Sequence, residues 1–78
     1  MTLKQNQEVL FYVKRHRCYI KGTVKQLPEF DETLNCMICT IKDETGSNWA
    51  VQPELITTQI KKGMKIFNSK TFKIEIVQ

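Results

Sequence analysis

Met37-Ile38-Cys39-Thr40-Ile41-Lys42-Asp43-Glu44-Thr45-Gly46-Ser47-Asn48-Trp49-Ala50-Val51 is the stretch that decides the fold of this chain. An apolar, β-branched run from Met37 to Ile41 halts at Asp43 and Gly46, and a second extended run begins at once. The pattern is that of a strand, a tight turn and an antiparallel strand. An Asp at the head of such a turn can bond its own backbone two residues on, and Gly46 supplies the positive φ the turn needs.

Outward from this hairpin the chain keeps the same character. Upstream, Cys18 to Leu27 alternates, with Ile20, Gly22 and Val24 on one face and Tyr19, Lys21, Thr23 and Lys25 on the other. The pattern predicts a half-buried strand, and Gly22 within it predicts a bend or bulge. Pro28 to Asn35 reads as a polar, acidic loop carrying Glu29, Asp31 and Glu32, and Cys36–Lys42 and Asn48–Gln52 as the second and third strands. Downstream, Pro53-Glu54 reads as a helix start, with Leu55, Ile56 and Ile60 as its apolar stripe and Lys61-Lys62-Gly63 as its close. Met64–Phe67 is expected as a fourth strand, and a fifth follows in which Phe72, Ile74 and Ile76 alternate with Lys73 and Glu75. Periodicity leaves Glu8–Val13 open between a strand and a short helix. Residues 1–7 are polar and expected to be loose.

Seventy-eight residues suit one domain, which buries only ~60% of its unfolded surface. With 41% hydrophobic and 26% charged residues the composition is that of a globular domain, not a disordered tail. No apolar run approaches the ~20 residues of a membrane span, so no membrane association is expected. The start shows no basic region followed by an apolar one, which predicts an intracellular protein: nuclear in a eukaryote, otherwise cytoplasmic. Cys18, Cys36 and Cys39 make an odd count, which argues for reduced thiols over a disulfide framework. His16, Cys18, Cys36 and Cys39 could supply four zinc ligands, but Cys36 and Cys39 lie in an extended run where positions three apart face opposite ways. No metal or cofactor is therefore expected. Catalysis is not expected either: there is one histidine, no nucleophile–base spacing and no phosphate-cradling glycine loop.

The order of strand with interior Gly22, strand, Asp43-Glu44-Thr45-Gly46 turn, strand, short helix, Gly63, strand, strand resembles the OB-fold, over about residues 18 to 77. Within that class the chain is similar to the small barrels of replication protein A, of telomere-capping complexes and of RecQ-associated genome-stability complexes. The resemblance implies an all-β, five-stranded Greek-key barrel with a short helix between strands three and four. The alternative fold is an SH3-like barrel, which usually lacks a three-turn helix before its last strands.

The resemblance also implies binding of single-stranded DNA or RNA, in a genome-maintenance or telomere-type complex with protein partners. A net charge of +4 suits a polyanionic ligand. In such barrels the ligand lies across strands two and three and the neighbouring loops. Trp49 is the sharpest stacking candidate, although it shares a strand face with Val51 and so can also belong to the core. Tyr19, Lys21 and Lys25 share the face opposite the core, Lys42 precedes the turn, and Lys70 and Lys73 flank the last hairpin loop. Lys14, Arg15 and Arg17 form the densest basic cluster. The acidic loop with Glu29, Asp31 and Glu32, and the surplus of aromatics, favour the alternative: a protein-interaction scaffold with little nucleic-acid contact.

Overall fold

The computed structural model describes residues 2–78. The protein is all-β, built from β1 (Glu8–Val13), β2 (Cys18–Asp31), β3 (Cys36–Asp43), β4 (Asn48–Val51), β5 (Ile56–Thr57), β6 (Lys65–Asn68) and β7 (Lys73–Ile76). Five of these strands form one antiparallel path in the order β4-β3-β2-β1-β5. The path is open, with β4 and β5 as its two ends, and β6 joins β2 by a single parallel bridge, Tyr19 to Ile66, before pairing with β7.

The fourteen-residue β2 is the spine. Its first half pairs with β1, from Val13↔Cys18 to Glu8↔Thr23, and its second half pairs with β3, from Gly22↔Asp43 to Asp31↔Cys36. Beyond Cys39, which still pairs with Val51, β2 and β3 run on as a two-stranded ribbon. The alternation read from the sequence holds: Val24 is fully buried, Ile20 packs against the core, and Lys21 and Lys25 are exposed.

The core is one face of this path: Val9, Phe11, Val24, Cys39, Ile41, Val51 and Ile56, with Leu3, Val13, Ile20, Trp49 and Leu55 packed against it. The register explains its composition. Phe11 lies between Ile20 and Ile56, and Ile41 between Val24 and Trp49, so cross-strand partners stack their side chains on the same face.

Several expectations change. The five-stranded Greek-key barrel is instead a seven-stranded sheet whose main path stays open, and of the loop expected over residues 28–35 the first four residues extend β2, leaving the turn to residues 32–35. The helix expected from Pro53 to Lys62 is a single 3-10 turn, Pro53–Leu55. Proline opens that turn as predicted, but Ile56 then turns extended and buries against Phe11 as β5, because pairing β1 satisfies backbone and side chain together. Glu8–Val13, left open, is a strand. Gly22 marks no bulge: it pairs regularly with Val9 and Asp43, and the register shifts fall between Val24 and Gln26 and between Gln26 and Glu29. Ahead of β1, the segment expected to be loose makes a turn, Gln7 N–H to the Lys4 carbonyl at 3.2 Å, and bonds to β2 through Asn6 N–H and the Val24 carbonyl at 2.7 Å. Met1 lies outside the described residues.

Candidate functional site

The β3–β4 turn is organised by one carboxylate. Asp43 Oδ1 accepts the Thr45 N–H at 2.9 Å, the Thr45 hydroxyl at 2.6 Å and the Ser47 N–H at 3.0 Å. Its Oδ2 accepts the Trp49 indole N–H at 2.8 Å. Gly46, at φ +93°, closes the three-residue loop in the left-handed conformation such hairpins use. Burial alone would push the Asp43 carboxyl up; the bonds from the Thr45 hydroxyl, the Trp49 indole and the Ser47 and Thr45 amides together outweigh it and hold the carboxyl below its ordinary value.

That bond decides where Trp49 goes. The ring is half-buried and packs on Phe11, centroids 5.3 Å apart at 55°. Its other side borders a groove of about 440 Å³ between β2 and the β6–β7 hairpin. Cys18 and Ile20 belong to one wall, and Phe67, Phe72 and Ile74 to the other; His16, Lys21 and Glu44 stand at its edge. The hairpin is fastened beside the turn by the Ser69 hydroxyl, 3.3 Å from Glu44 Oε1. Phe72 ends the hairpin loop at φ +55° and is 76% exposed, with its ring 6.0 Å from that of Phe67. A left-handed backbone costs a non-glycine residue about 1–2 kcal/mol, so Phe72 carries a backbone strain at the groove as well as an exposed ring.

The β1–β2 turn forms a second surface. His16 N–H bonds to the Val13 carbonyl at 3.1 Å and Arg17 N–H to the Lys14 carbonyl at 3.2 Å, with Arg17 at φ +53°. Lys14, Arg15 and Arg17 are all exposed there. Directly below, the cross-strand partners Tyr12 and Tyr19 meet edge to face at 5.1 Å on the sheet face opposite the core. Tyr12, Tyr19, Arg17, Met64 and Lys65 line a shallow cleft of about 320 Å³.

The residues singled out in the sequence are therefore dispersed. Arg17 and Tyr19 meet in the tyrosine cleft, with Arg15 in the adjoining turn; Trp49 and Lys21 border the aromatic groove. Lys21 and Lys42 also line an outer cleft of about 350 Å³ that contains Glu8 and Glu44. Lys25 is exposed farther along β2, beyond that cleft, and Lys70 and Lys73 are exposed on the last hairpin. Tyr12, Lys65, Phe67 and Phe72 complete these surfaces without having been singled out as ligand-facing. Tyr12 carried a usable signal, since a tight turn at residues 14–17 sets it opposite Tyr19; nothing local to Lys65 or Phe67 foretells that β6 returns to β2.

Among the described residues no group of three or more His, Cys, Asp and Glu side chains is placed to hold a metal ion, and no helix is long and apolar enough to cross a membrane. Cys18 and Cys39 are buried, and burial pushes both thiols up; the Cys39 thiol donates to the Gln26 carbonyl at 3.2 Å, where the ribbon's register slips. No protein-family model, curated protein or solved structure gives a significant match to this chain.

Proposed function

We propose that this protein is a non-catalytic module that binds single-stranded nucleic acid at the basic end of its sheet. The observation that carries the reading is the tyrosine cleft: Tyr12 and Tyr19, side by side, with Arg17 and Lys65 on the same cleft and Lys14 and Arg15 in the adjoining turn. Stacking surfaces and cations at one place are what an unpaired strand requires, since each stacked base contributes ~1–3 kcal/mol whatever its sequence. Charge is also divided along β2: the turn before it carries Lys14, Arg15 and Arg17, whereas its far end and the next turn carry Glu29, Asp31 and Glu32. A polyanion approaching this molecule is steered to the tyrosine end.

Of the two folds, the SH3-like barrel is favoured over the OB-fold, because a single 3-10 turn takes the place of the helix that the OB order requires. A role within a genome-maintenance complex rests on the OB resemblance and weakens with it. The nucleic-acid reading rests on the surface itself.

The test is fluorescence anisotropy with end-labelled single-stranded DNA and RNA over a salt series. Four cations, Lys14, Arg15, Arg17 and Lys65, should give a log–log salt slope of about −3, at ~0.7 per phosphate neutralised. Lys14→Ala with Arg15→Ala should flatten that slope by about 1.4, and Tyr12→Ala should weaken binding at every salt concentration. Absence of binding at low salt would remove this reading and leave the protein-interaction module. Specific support for that alternative is the exposure of Leu27, Phe30, Leu34 and Met37 on and around the ribbon.

A further inference from the structure

The large apolar side chains that stand exposed gather mainly at two places. One is the tip of the β2–β3 ribbon, with Leu27, Phe30, Leu34 and Met37; the other is the last hairpin, with Phe72, Ile74 and Ile76. We infer that copies of this chain associate head to tail, the ribbon tip of one copy docking in the aromatic groove of the next.

Charge selects this arrangement. The ribbon tip carries Glu29, Asp31 and Glu32, and no Lys or Arg lies between Gln26 and Ile41. Lys21 is the one formal cation of the groove lining, and Lys14, Arg15 and Arg17 stand in the turn that brings His16 to the groove. Asp43 and Glu44 also line the groove and keep their charge while they accept hydrogen bonds, so the positive charge that meets the tip is that of the adjoining turn. Two ribbon tips facing each other would oppose like charges, and so would two basic turns. Tip to groove sets the acidic tip beside the basic turn at residues 14–17, and complementary charge of this kind favours that contact over the like-charged ones.

Geometry makes the contact intermolecular. Cys18 and Ile20, in the groove, and Phe30, at the tip, lie at opposite ends of the same strand. The molecule extends 37 × 23 × 23 Å, and a paired strand cannot fold its far end back onto its start. Phe30 and Met37 are cross-strand partners and project from one face, a ready apolar knob, while Phe72 stands exposed at the groove. Because the two surfaces differ, the contact is heterologous and does not close at a dimer.

Sedimentation of the nucleic-acid-free protein, from micromolar to millimolar concentration, tests this apart from any nucleic-acid binding. The average mass should rise from 9.2 kDa past the dimer with concentration, and fall back with salt. Phe30→Asp or Phe72→Asp should each weaken association at least ~10-fold, since a carboxylate replaces a buried aromatic; Asp tolerates the backbone at position 72 better than Phe does. An equimolar mixture of the two variants should form a dimer and nothing larger, because each keeps one live surface. Glu29→Lys with Glu32→Lys, on exposed positions that leave the fold intact, should weaken association, and a partner bearing Lys14→Glu with Arg15→Glu should restore it. A wild-type protein that stays at 9.2 kDa throughout overturns the inference, as does a closed dimer that the mixed variants fail to re-form.

Discussion

Replacing Gly22 with alanine sets two effects of opposite sign against each other. Strand propensity and the lowered entropy of the unfolded chain favour alanine by about 0.5–1 kcal/mol. Packing opposes it: a Cβ built on Gly22 would lie 2.6 Å from Ile41 Cγ2 and 2.7 Å from the Lys42 carbonyl oxygen. Carbon atoms pack best at ~3.5–4.0 Å, so β3 must retreat by about 1 Å. Neither neighbour yields easily. Ile41 is fully buried and stiff at χ1, and the Lys42 oxygen belongs to the backbone of the strand paired with β2. Overpacking of this kind costs about 1–3 kcal/mol, and two rigid contacts place it in the upper half of that range. The net loss is then about 1–2.5 kcal/mol, or roughly 4–20 °C in Tm for a domain of this size. Thermal melts by far-UV circular dichroism, with urea titration for the free energy, measure it directly. A Gly22→Ala protein melting at or above the wild type would refute the reasoning, and with it the close β2–β3 approach that sets Asp43 opposite Gly22.

Asp43→Ala should cost about 1–2 kcal/mol, the scale of a lost side-chain cap, and should shift the emission of Trp49, whose indole N–H loses its acceptor. The wild-type carboxyl titrates below its ordinary value of 3.8, so the stability it contributes is present above that pH and is lost as pH falls through the lower folded value. Urea titrations between pH 5 and about pH 2 should therefore show a steeper acid loss in wild type than in Asp43→Asn; equal slopes would deny the carboxylate its structural role. Among the three thiols, Cys36 should be alkylated first in native protein, with Cys18 and Cys39 reacting only as the fold opens. Peptide mass mapping after brief iodoacetamide treatment reads the order.

Much of the sheet was legible in the residues because the information is local. Alternation along β2, the Asp43 to Gly46 turn and the burial of Val24 and Ile41 follow from period-two patterning and turn chemistry, which act over a few residues. The segment after Pro53 was not legible in this way. Its apolar spacing suits a helix, and its proline suits any helical start, including the single 3-10 turn that forms. The competing outcome depends on a free edge of β1, forty-odd residues away, on which Ile56 can pair and bury. Gly22 shows the same limit: a strand glycine announces either a bulge or a close approach, and only the position of Ile41 tells which.

Sites were legible as residue types and not as constellations. The basic cluster at residues 14–17 was plain, and so was the ambiguity of Trp49, which the structure places with its ring on Phe11, its indole bonded to Asp43 and its outer side on the groove. By itself the sequence determined an all-β chain, its turns, its inward residues and its supply of cations and aromatics, because these depend on neighbours along the chain. The tertiary structure alone decided that Tyr12 and Tyr19 meet Lys65, and that the last hairpin stands over β2 to form a groove with Phe67 and Phe72. Those surfaces depend on the single parallel bridge between Tyr19 and Ile66, a contact between distant residues that no local pattern encodes.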